Sequence, residues 1–353
     1  MGSIYGRFFR LSTFGESHGP AVGVIVEGVP VGLPVTRSIV QSELDKRKPG
    51  SSEYVSQRLE SDTVELLSGV ANGKTLGSPI AMLVRNTNQR SNDYSAIADL
   101  FRPGHADYTY FRKYLTAPQP GGGRSSGRET VGRVAAGAIA KVMLRQIGLD
   151  VNAYTVKIGE IVAQNVDLGF ALTNPLRCAD PGVAEAMANE VKLAVSEGNS
   201  IGGIIEVAAE GAPPGLGDPV FDKLDASLAA ALLSIGGVKG IEFGDGFNSS
   251  KLRGSQHNDE MRSDGFLSNH AGGILGGIST GQTIIMRLAI KPTASISIEQ
   301  KTIDLKGRNR LISVKGRHDP CLCPRIAPVA EAMTAITLAD AWLADRAIKG
   351  ISE

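Results

Sequence analysis

Short apolar runs bounded by glycine, proline and polar residues recur along the chain. Many are rich in valine and isoleucine, whose branched side chains favour extended backbone, and this pattern predicts β-strands. The predicted strands are Val22–Glu27, Thr63–Leu67, Ile80–Val84, Val151–Val162, Gly203–Ala208 and Thr283–Ile290.

Longer apolar segments carry helix start and stop signals. Ser126 and Glu129 form an S-x-x-E capping box before ETVGRVAAGAIAKVMLRQI, and Gly148 follows its end. The small residues in the middle of this segment predict a closely packed, central helix. Pro328 is predicted to open a second long helix that ends at Gly350. Further predicted helices are Thr36–Arg47, Val183–Glu197 and Pro219–Leu233.

The order of these elements excludes two common nucleotide-binding folds. Strands and helices do not alternate strictly as they do in a doubly wound sheet. No G-x-G-x-x-G follows a strand, and no G-x-x-x-x-G-K-[ST] is present. A Rossmann domain and a P-loop NTPase are therefore not expected, and the fold class is α+β.

Two pairs of similar segments predict an internal duplication. Val24–Pro34 and Val207–Gly217 share six of eleven residues at an offset of 183. Leu67–Thr75 and Leu275–Thr283 share four residues, and the two pairs keep the same order. We therefore expect one domain over residues 1–353, with related halves beginning near residues 20 and 203.

Composition excludes several classes of protein. Lys plus Arg is 37 against 36 for Asp plus Glu, and aromatic residues make up 5%, which argues against a nucleic-acid binder. Three cysteines form no disulfide framework and no paired zinc motif, which fits a reducing compartment. No apolar run of about 20 residues is present, so a soluble cytoplasmic protein with no membrane partner is expected. The 43 glycines predict many tight turns and close backbone approaches.

All five histidines lie in segments rich in glycine, serine, arginine or aspartate. They are His18, His105, His257, His270 and His318. Any one of them could be structural, but five in such settings favour an active site. No H-x-x-x-H or H-E-x-x-H spacing is present, so no metal site is predicted.

Basic residues concentrate in loops. GGGRSSGRET places Arg124, Ser125, Ser126 and Arg128 at the start of the capped helix, where free N–H groups and the helix dipole favour anions. The alternative is a flexible glycine turn with solvated arginines. Further basic residues are Lys46, Arg47 and Lys48 in LDKRKPG, Lys291 in KPTAS and Arg317 in KGRHD. Basic loops in a nearly neutral chain predict small anionic ligands.

Several of these segments together resemble the motifs of the chorismate synthase family. They are FGESHGPAVGVIVEGVPVG, RPGHADYTY, GGGRSSGRETVGRVAAGAIA, SNHAGGILGGIST, KPTAS and KGRHDPC, in the family's order and spacing from residue 14 to residue 345. One departure is Glu53, where the family commonly has a second arginine after the R-x-P-G turn. That leaves Arg47 as the residue implied to contact phosphate or NADP.

The resemblance implies the last step of the shikimate pathway. A lyase would eliminate phosphate from 5-enolpyruvylshikimate 3-phosphate in an anti-1,4 sense to give chorismate, without net redox change. Reduced FMN is the implied cofactor, with NADPH as a possible reductant, although an external reductase is expected to supply the electrons. The implied fold is a β-α-β sandwich with internal pseudo-twofold symmetry, and the implied assembly is a homotetramer.

The resemblance also implies residue roles. His18 would protonate the leaving phosphate, His105 would support reduced flavin near N1, and Asp319 would take part in proton removal at N5. Ser17, Ser125 and Ser126 are candidate relay hydroxyls. The implied FMN contacts are Arg124, Ser125, Ser126, Gly236, Gly237, Gly276, Lys291, Pro292, Thr293, Ala294, Ser295 and Arg317. Two other classes stay open: a metal-dependent phosphohydrolase with histidine ligands, and an RNA-binding module using GGGRSSGR.

Overall fold

The structure, a computed structural model, describes residues 2–48, 54, 61–87, 97–314, 316 and 318–349. Within these residues the helices are α1 (Arg37–Arg47), α2 (Asp107–Tyr114), α3 (Thr130–Arg145), α4 (Leu168–Thr173), α5 (Ala184–Ser196), α6 (Leu224–Leu233), α7 (Gly254–His257) and α8 (Cys323–Lys349).

Most strands are short and belong to hairpins or to two larger sheets. In the same described residues they are β1 (Ile4–Tyr5), β2 (Arg10–Gly15), β3 (Ala21–Glu27), β4 (Val64–Leu66), β5 (Val70–Ala71), β6 (Lys74–Thr75), β7 (Ile80–Arg85), β8 (Asp150–Ile158), β9 (Ile161–Val162), β10 (Gly203–Glu210), β11 (Val238–Phe243), β12 (Met261–Arg262), β13 (Gly265–Phe266), β14 (Ile274–Leu275), β15 (Ile278–Ser279), β16 (Ile284–Ile290), β17 (Gln300–Ile303) and β18 (Asn309–Ile312).

Two five-stranded antiparallel sheets share the topology of four strands, β2-β3-β7-β4 and β8-β10-β16-β11, and differ in one edge strand: β1 precedes β2 in the chain, whereas β9 follows β8. The first has the order β1-β2-β3-β7-β4, and the second, written from its opposite edge, has the order β9-β8-β10-β16-β11. In each sheet the central strand, β3 or β10, contains the start of one of the similar segments found in the sequence and is followed by a helix, α1 or α6. The chain is therefore an α+β sandwich with an internal duplication.

Equivalent hydrogen bonds fix the register of the duplication. Thr75 N donates to Leu33 O at 3.0 Å, and Ser279 N donates to Leu216 O at 2.9 Å. The side-chain hydroxyls of Thr75 and Ser279 also each donate to a proline carbonyl at 2.6 Å. The 183-residue offset of the first segment pair is confirmed, but the second pairing was wrong by four residues. Thr75 corresponds to Ser279 rather than Thr283, because glycine-rich turns resemble one another in several registers.

Helices fill the space between the sheets. α3 packs on β3, α8 packs on β8 and β10, and α3 and α8 contact each other along their length. A methyl group at Gly137 would lie 2.4 Å from Ala332 Cβ, so glycine is needed for this close approach. The prediction of a closely packed, central helix is confirmed. α8 is also largely buried: 78% of its most apolar 18-residue stretch lies inside the protein.

A buried charge network ties the helix layer to the second sheet. Lys141 of α3 donates to Glu43 of α1 at 2.8 Å and to Glu331 of α8 at 2.6 Å. Glu331 also accepts from Arg177 at 2.6 Å and from Ala153 N at 3.2 Å. Burial opposes ionisation, but Lys141 and Arg177 lower the pKa of Glu331 to about 2. The network joins three helices to β8.

Two predicted helix starts were wrong. α8 begins at Cys323, with Pro324 rather than Pro328 in the first turn, where a missing N–H is harmless. Ser126 caps a 3₁₀ turn by accepting from Arg128 N at 3.3 Å, and α3 begins only at Thr130. The reciprocal half of the capping box is not made, because the Glu129 carboxylate accepts from Thr13 and Arg133 instead.

Two other predicted elements differ in their bounds. α6 begins at Leu224, so Pro219 lies outside it. The predicted strand Val151–Val162 is divided into β8 and β9, because Gly159 between them adopts a left-handed φ of 55°.

Candidate functional site

Loops from both halves meet in one large cleft of about 1380 Å³. They are the turn after β2, the segment before α2, the glycine-rich segment before α3, the α6–β11 loop, the loop after β16 and the segment leading into α8. The N-termini of α3 and α8 both lie at this cleft, so the positive ends of two buried helices are directed at it. The cleft is larger than a typical single-ligand pocket, which gives room for two small molecules.

Three consecutive glycines shape the centre of the cleft. Gly121, Gly122 and Gly123 have φ values of 65°, 89° and 53°, which side-chain-bearing residues rarely adopt. A Cβ at Gly121 would lie 2.6 Å from His18 Nε2, and one at Gly122 would lie 2.9 Å from His105 Cε1. Both predicted catalytic histidines therefore pack against adjacent residues of one loop.

His105 lies in a dense hydrogen-bonded group before α2. Its Nδ1 is 2.8 Å from Asp107 Oδ1, and Arg102 forms a two-pronged contact with the same carboxylate at 2.7 and 2.8 Å. Burial opposes ionisation, but these hydrogen bonds hold the pKa of Asp107 well below its usual range. Asp107 is therefore a carboxylate at neutral pH.

Arg47 and Arg128 share one buried carboxylate at the edge of the cleft. Asp62 accepts from Arg47 Nη2 at 2.7 Å and from Arg128 Nη1 through its other oxygen. Burial lowers the pKa of Arg47, while Asp62 opposes that effect. Arg47 Nε is buried without a hydrogen-bond acceptor in the described part of the chain. Arg47 thus reaches the cleft as a cation only partly neutralised by its partner.

Arg124 is held by the protein, whereas the alternative hypothesis of a flexible glycine turn required it to extend freely into solvent. Its guanidinium donates to Gly15 O at 3.1 Å, to Thr13 Oγ1 at 2.8 Å and to Ser3 Oγ at 3.2 Å. Ser125 Oγ donates to Gly122 O at 2.7 Å. These contacts anchor the glycine-rich loop to β2, so Arg124 contributes position as well as charge.

The second half supplies the opposite wall. Lys291 Nζ donates to Gly104 O at 2.6 Å. Burial lowers the pKa of Lys291, and the positive charge of nearby Lys239 lowers it further. Thr293 Oγ1 donates to the backbone O of Asp319 at 2.5 Å. Arg325, in the first turn of α8, lies 3.2 Å from Asp319 Oδ1. This wall therefore combines cations with a partly buried carboxylate.

Most of the sequence-predicted site residues come together in the cleft, although their roles stay predictions. The lining includes His18, Arg47, His105, Arg124, Ser125, Ser126, Gly236, Gly237, Lys291, Thr293, Ala294, Ser295 and Asp319. Pro292 is not in the lining, and Gly276 lies exposed in the β14–β15 hairpin outside the cleft. Arg317 and Glu53 lie outside the described residues. Of the histidines, His318 joins the cleft, whereas His257 and His270 pair with each other elsewhere.

Several functional candidates were missed in the sequence. They are Asp62, Arg102, Asp107, Tyr110, Arg133, Lys239 and Arg325. Arg102 and Asp107 flank the histidine in RPGHAD, so the motif could have indicated both as site residues. No sequence pattern indicates Arg325 or Asp62, because their importance depends on partners brought close by folding.

The charge of the cleft favours anions. Among the described lining residues, eight arginine and lysine side chains face four carboxylates. No group of three or more His, Cys, Asp and Glu side chains in the described ranges is placed to hold a metal ion.

Fold and cleft together define an α+β enzyme that binds small polyanions. A family model described as chorismate synthase matches residues 9–343. A solved structure described as "Crystal Structure of Chorismate Synthase" is 32% identical, with 97% of this chain and 93% of that chain covered and a TM-score of 0.74. The chain belongs to the chorismate synthase family, lyases that act on a phosphate-bearing substrate. The resemblance read from the motifs is confirmed.

Proposed function

We propose that this cleft binds 5-enolpyruvylshikimate 3-phosphate together with reduced FMN and eliminates the 3-phosphate in an anti-1,4 sense to give chorismate. The observation that carries the proposal is that His18 and His105 pack against adjacent residues of one glycine loop inside a cation-rich cleft. The substrate carries a phosphate and two carboxylates, and arginines are well suited to clamp such groups through paired N–H donors.

The residues present fit a flavin mononucleotide. The cleft has room for a second polyanion, and its glycine loop lets backbone approach a flat ligand without side-chain obstruction. Arg47 Nε and Arg325 Nε are buried without acceptors among the described residues, which favours an anionic partner for each. Arg124–Ser126, Gly236, Gly237, Lys291 and Thr293–Ser295 would hold the cofactor. When bound, reduced FMN supplies electron density that assists departure of the phosphate.

The protein's own groups handle protons and position. His18 donates a proton to the leaving phosphate, because a phosphate leaves poorly without protonation and a histidine titrates near neutral pH. His105 would support the bound cofactor near N1 as a hydrogen-bonding group at the cleft. Asp319 accepts a proton in the later steps, and Ser17 with the Ser125–Ser126 pair completes the relay.

The surroundings of the enzyme are part of the same proposal. Reducing equivalents come from an external reductase rather than from NADPH bound by this chain, and Arg47 contacts substrate phosphate. The active form is a cytoplasmic homotetramer. Size-exclusion chromatography with light scattering tests the assembly, and a purified chain that stays monomeric at working concentrations argues against it.

Anaerobic turnover tests the proposal directly. Purified protein is mixed with substrate and photoreduced FMN, then separately with oxidised FMN or with NADPH plus FMN, and both chorismate and free phosphate are measured. We expect equal amounts of chorismate and phosphate with reduced FMN, and no product with oxidised FMN. Phosphate released without chorismate would instead identify a phosphohydrolase, and no product under reduction would refute the proposed reaction.

A further inference from the structure

We propose that Asp107 is a positioning residue that fixes one proton of His105 on Nδ1 and thereby presents Nε2 to the cleft. The inference rests on the proposed function of His105 as a group that contacts the bound cofactor or substrate. Asp107 acts through the imidazole of His105 rather than on a reacting group itself.

The carboxylate is held in one orientation. Asp107 is the first residue of α2 and its side chain is 4% exposed. Arg102 donates to Oδ2 through Nε at 2.7 Å and to Oδ1 through Nη2 at 2.8 Å, and the Arg102 backbone N–H adds a contact of 3.2 Å to Oδ2. Three donations from one residue leave the carboxylate no freedom to rotate, so Oδ1 stays directed at His105.

The position of the proton follows from donor and acceptor chemistry. His105 Nδ1 has two polar neighbours: Asp107 Oδ1 at 2.8 Å and Arg102 Nη2 at 3.1 Å. An ionised carboxylate can only accept, and a guanidinium can only donate. Since Nδ1 can serve one of them, the shorter contact places a hydrogen on Nδ1 and directs it to Asp107.

The other ring nitrogen is left for the cleft. A Cβ at Gly122 would lie 2.9 Å from His105 Cε1 and 3.3 Å from Nε2, so this edge of the ring lies against the glycine loop. With Nδ1 committed, Nε2 is the atom that can accept or carry a proton toward a ligand. Loss of the carboxylate would place the proton on the wrong nitrogen, as happens when an aspartate orients a catalytic histidine in other enzymes.

Asp107→Asn tests the tautomer without relying on turnover. Because Arg102 still donates to the amide oxygen, the amide NH₂ must face His105 and donate to Nδ1, which moves the ring proton to Nε2. We expect ¹⁵N NMR of histidine-labelled protein to show His105 protonated at Nδ1 in the wild type and at Nε2 in the variant. His270, whose Nδ1 lies 2.9 Å from Asp245, is an internal reference that should not change.

Kinetics then separate positioning from simple structural support. Asp107→Asn should lower kcat by about 10²-fold or more with KM little changed, because a wrongly protonated His105 is lost as an acid–base group. In a His105→Ala background the same substitution should cause no further loss. Asp304→Asn is the control: it removes another buried carboxylate, which pairs with two arginines but with no histidine, and should leave kcat and the His105 tautomer unchanged.

Three results would overturn the inference. The first is a wild-type His105 that carries its proton on Nε2, and the second is a tautomer that is the same in both proteins. The third is an additional loss of kcat when Asp107→Asn is added to His105→Ala, since that would show independent action. If the wild type made no chorismate, the proposed reaction would fail while the tautomer measurement would still decide the role of Asp107.

Discussion

Glu331→Gln should destabilise the fold by about 3–5 kcal/mol, the usual cost of removing one member of a buried ion pair. The Glu331 side chain is 2% exposed and accepts from Lys141, Arg177 and Ala153 N, so solvent cannot replace the lost charge. A glutamine keeps the shape but turns an NH₂ group toward one of these donors. Each tenfold change in proton affinity is worth about 1.4 kcal/mol. Lowering the pKa of Glu331 from 4.5 to about 2 therefore corresponds to about 3 kcal/mol, the lower end of the expected destabilisation.

Urea and thermal unfolding measure the effect. For 353 residues the unfolding entropy is about 0.7 kcal/mol per degree, so Tm should fall by about 4–7 °C. Glu160→Gln is the matched control, because Glu160 pairs with Lys157 at 3.2 Å but its side chain is 96% exposed. That control should leave Tm unchanged, since exposed ion pairs contribute little.

The pH dependence gives an independent check on the cause. Folding lowers the pKa of Glu331, so its contribution is complete above about pH 4.5 and is lost as pH falls toward 2. The stability gap between wild type and Glu331→Gln should therefore narrow as pH is lowered below 4.5. A gap that stays constant across this range, or one below about 1 kcal/mol at pH 7, would refute the assignment of a stabilising charge network.

Three further predictions concern the cleft. His18→Ala should lower kcat by about 10²–10⁴-fold with FMN affinity retained, and near-normal turnover would remove His18 from the acid role. Arg124→Ala should weaken FMN or substrate binding by about 1.5–3 kcal/mol in spectral titrations, because it removes both a charge and the anchor of the glycine loop; unchanged affinity for both would argue against it. Gly121→Ala should lower kcat by displacing His18, whereas Gly127→Ala, with open space around its Cβ, should not; equal kcat values in the two variants would contradict the steric argument.

Local chemistry explains which parts of the fold were predictable. The α3 segment could be identified as central because its small residues leave room for another helix, and Ala332 of α8 takes that room. The start of α8 could not be placed, because two prolines, Pro324 and Pro328, satisfy the same helix-opening rule. Only the backbone hydrogen bonds show which of them lies in the first turn.

The same division applies to the site. Residue type singled out His18 and His105, and the family motifs added Asp319, although long stretches of chain separate them and folding alone brings them to one cleft. Sequence could not show that Arg124 binds β2 or that Asp62 holds Arg47, because these partners are set by tertiary packing. Side-chain identity therefore predicted the chemistry of the cleft better than its internal pairing.

Asp319 presents the sharpest choice between catalysis and structure. Its carboxylate lies 3.2 Å from Arg325 Nη1, and its backbone O accepts from Thr293, so a purely structural role in holding the start of α8 is a real alternative. Asp319→Asn preserves the shape of the side chain but cannot take up a proton. If Asp319 accepts a proton, the variant should bind both ligands normally and lose kcat.

A matched control makes the result interpretable. Asp345 also belongs to an ion pair of 3.2 Å, with Lys349 on α8, and both aspartate side chains are 17% exposed. Asp345→Asn should therefore reproduce the structural cost of losing such a pair while turnover stays normal. Rapid mixing with substrate and reduced FMN should show a slowed chemical step only for Asp319→Asn. If that variant instead melts early or binds FMN weakly yet turns over normally at saturation, Asp319 holds the loop and another group accepts the proton.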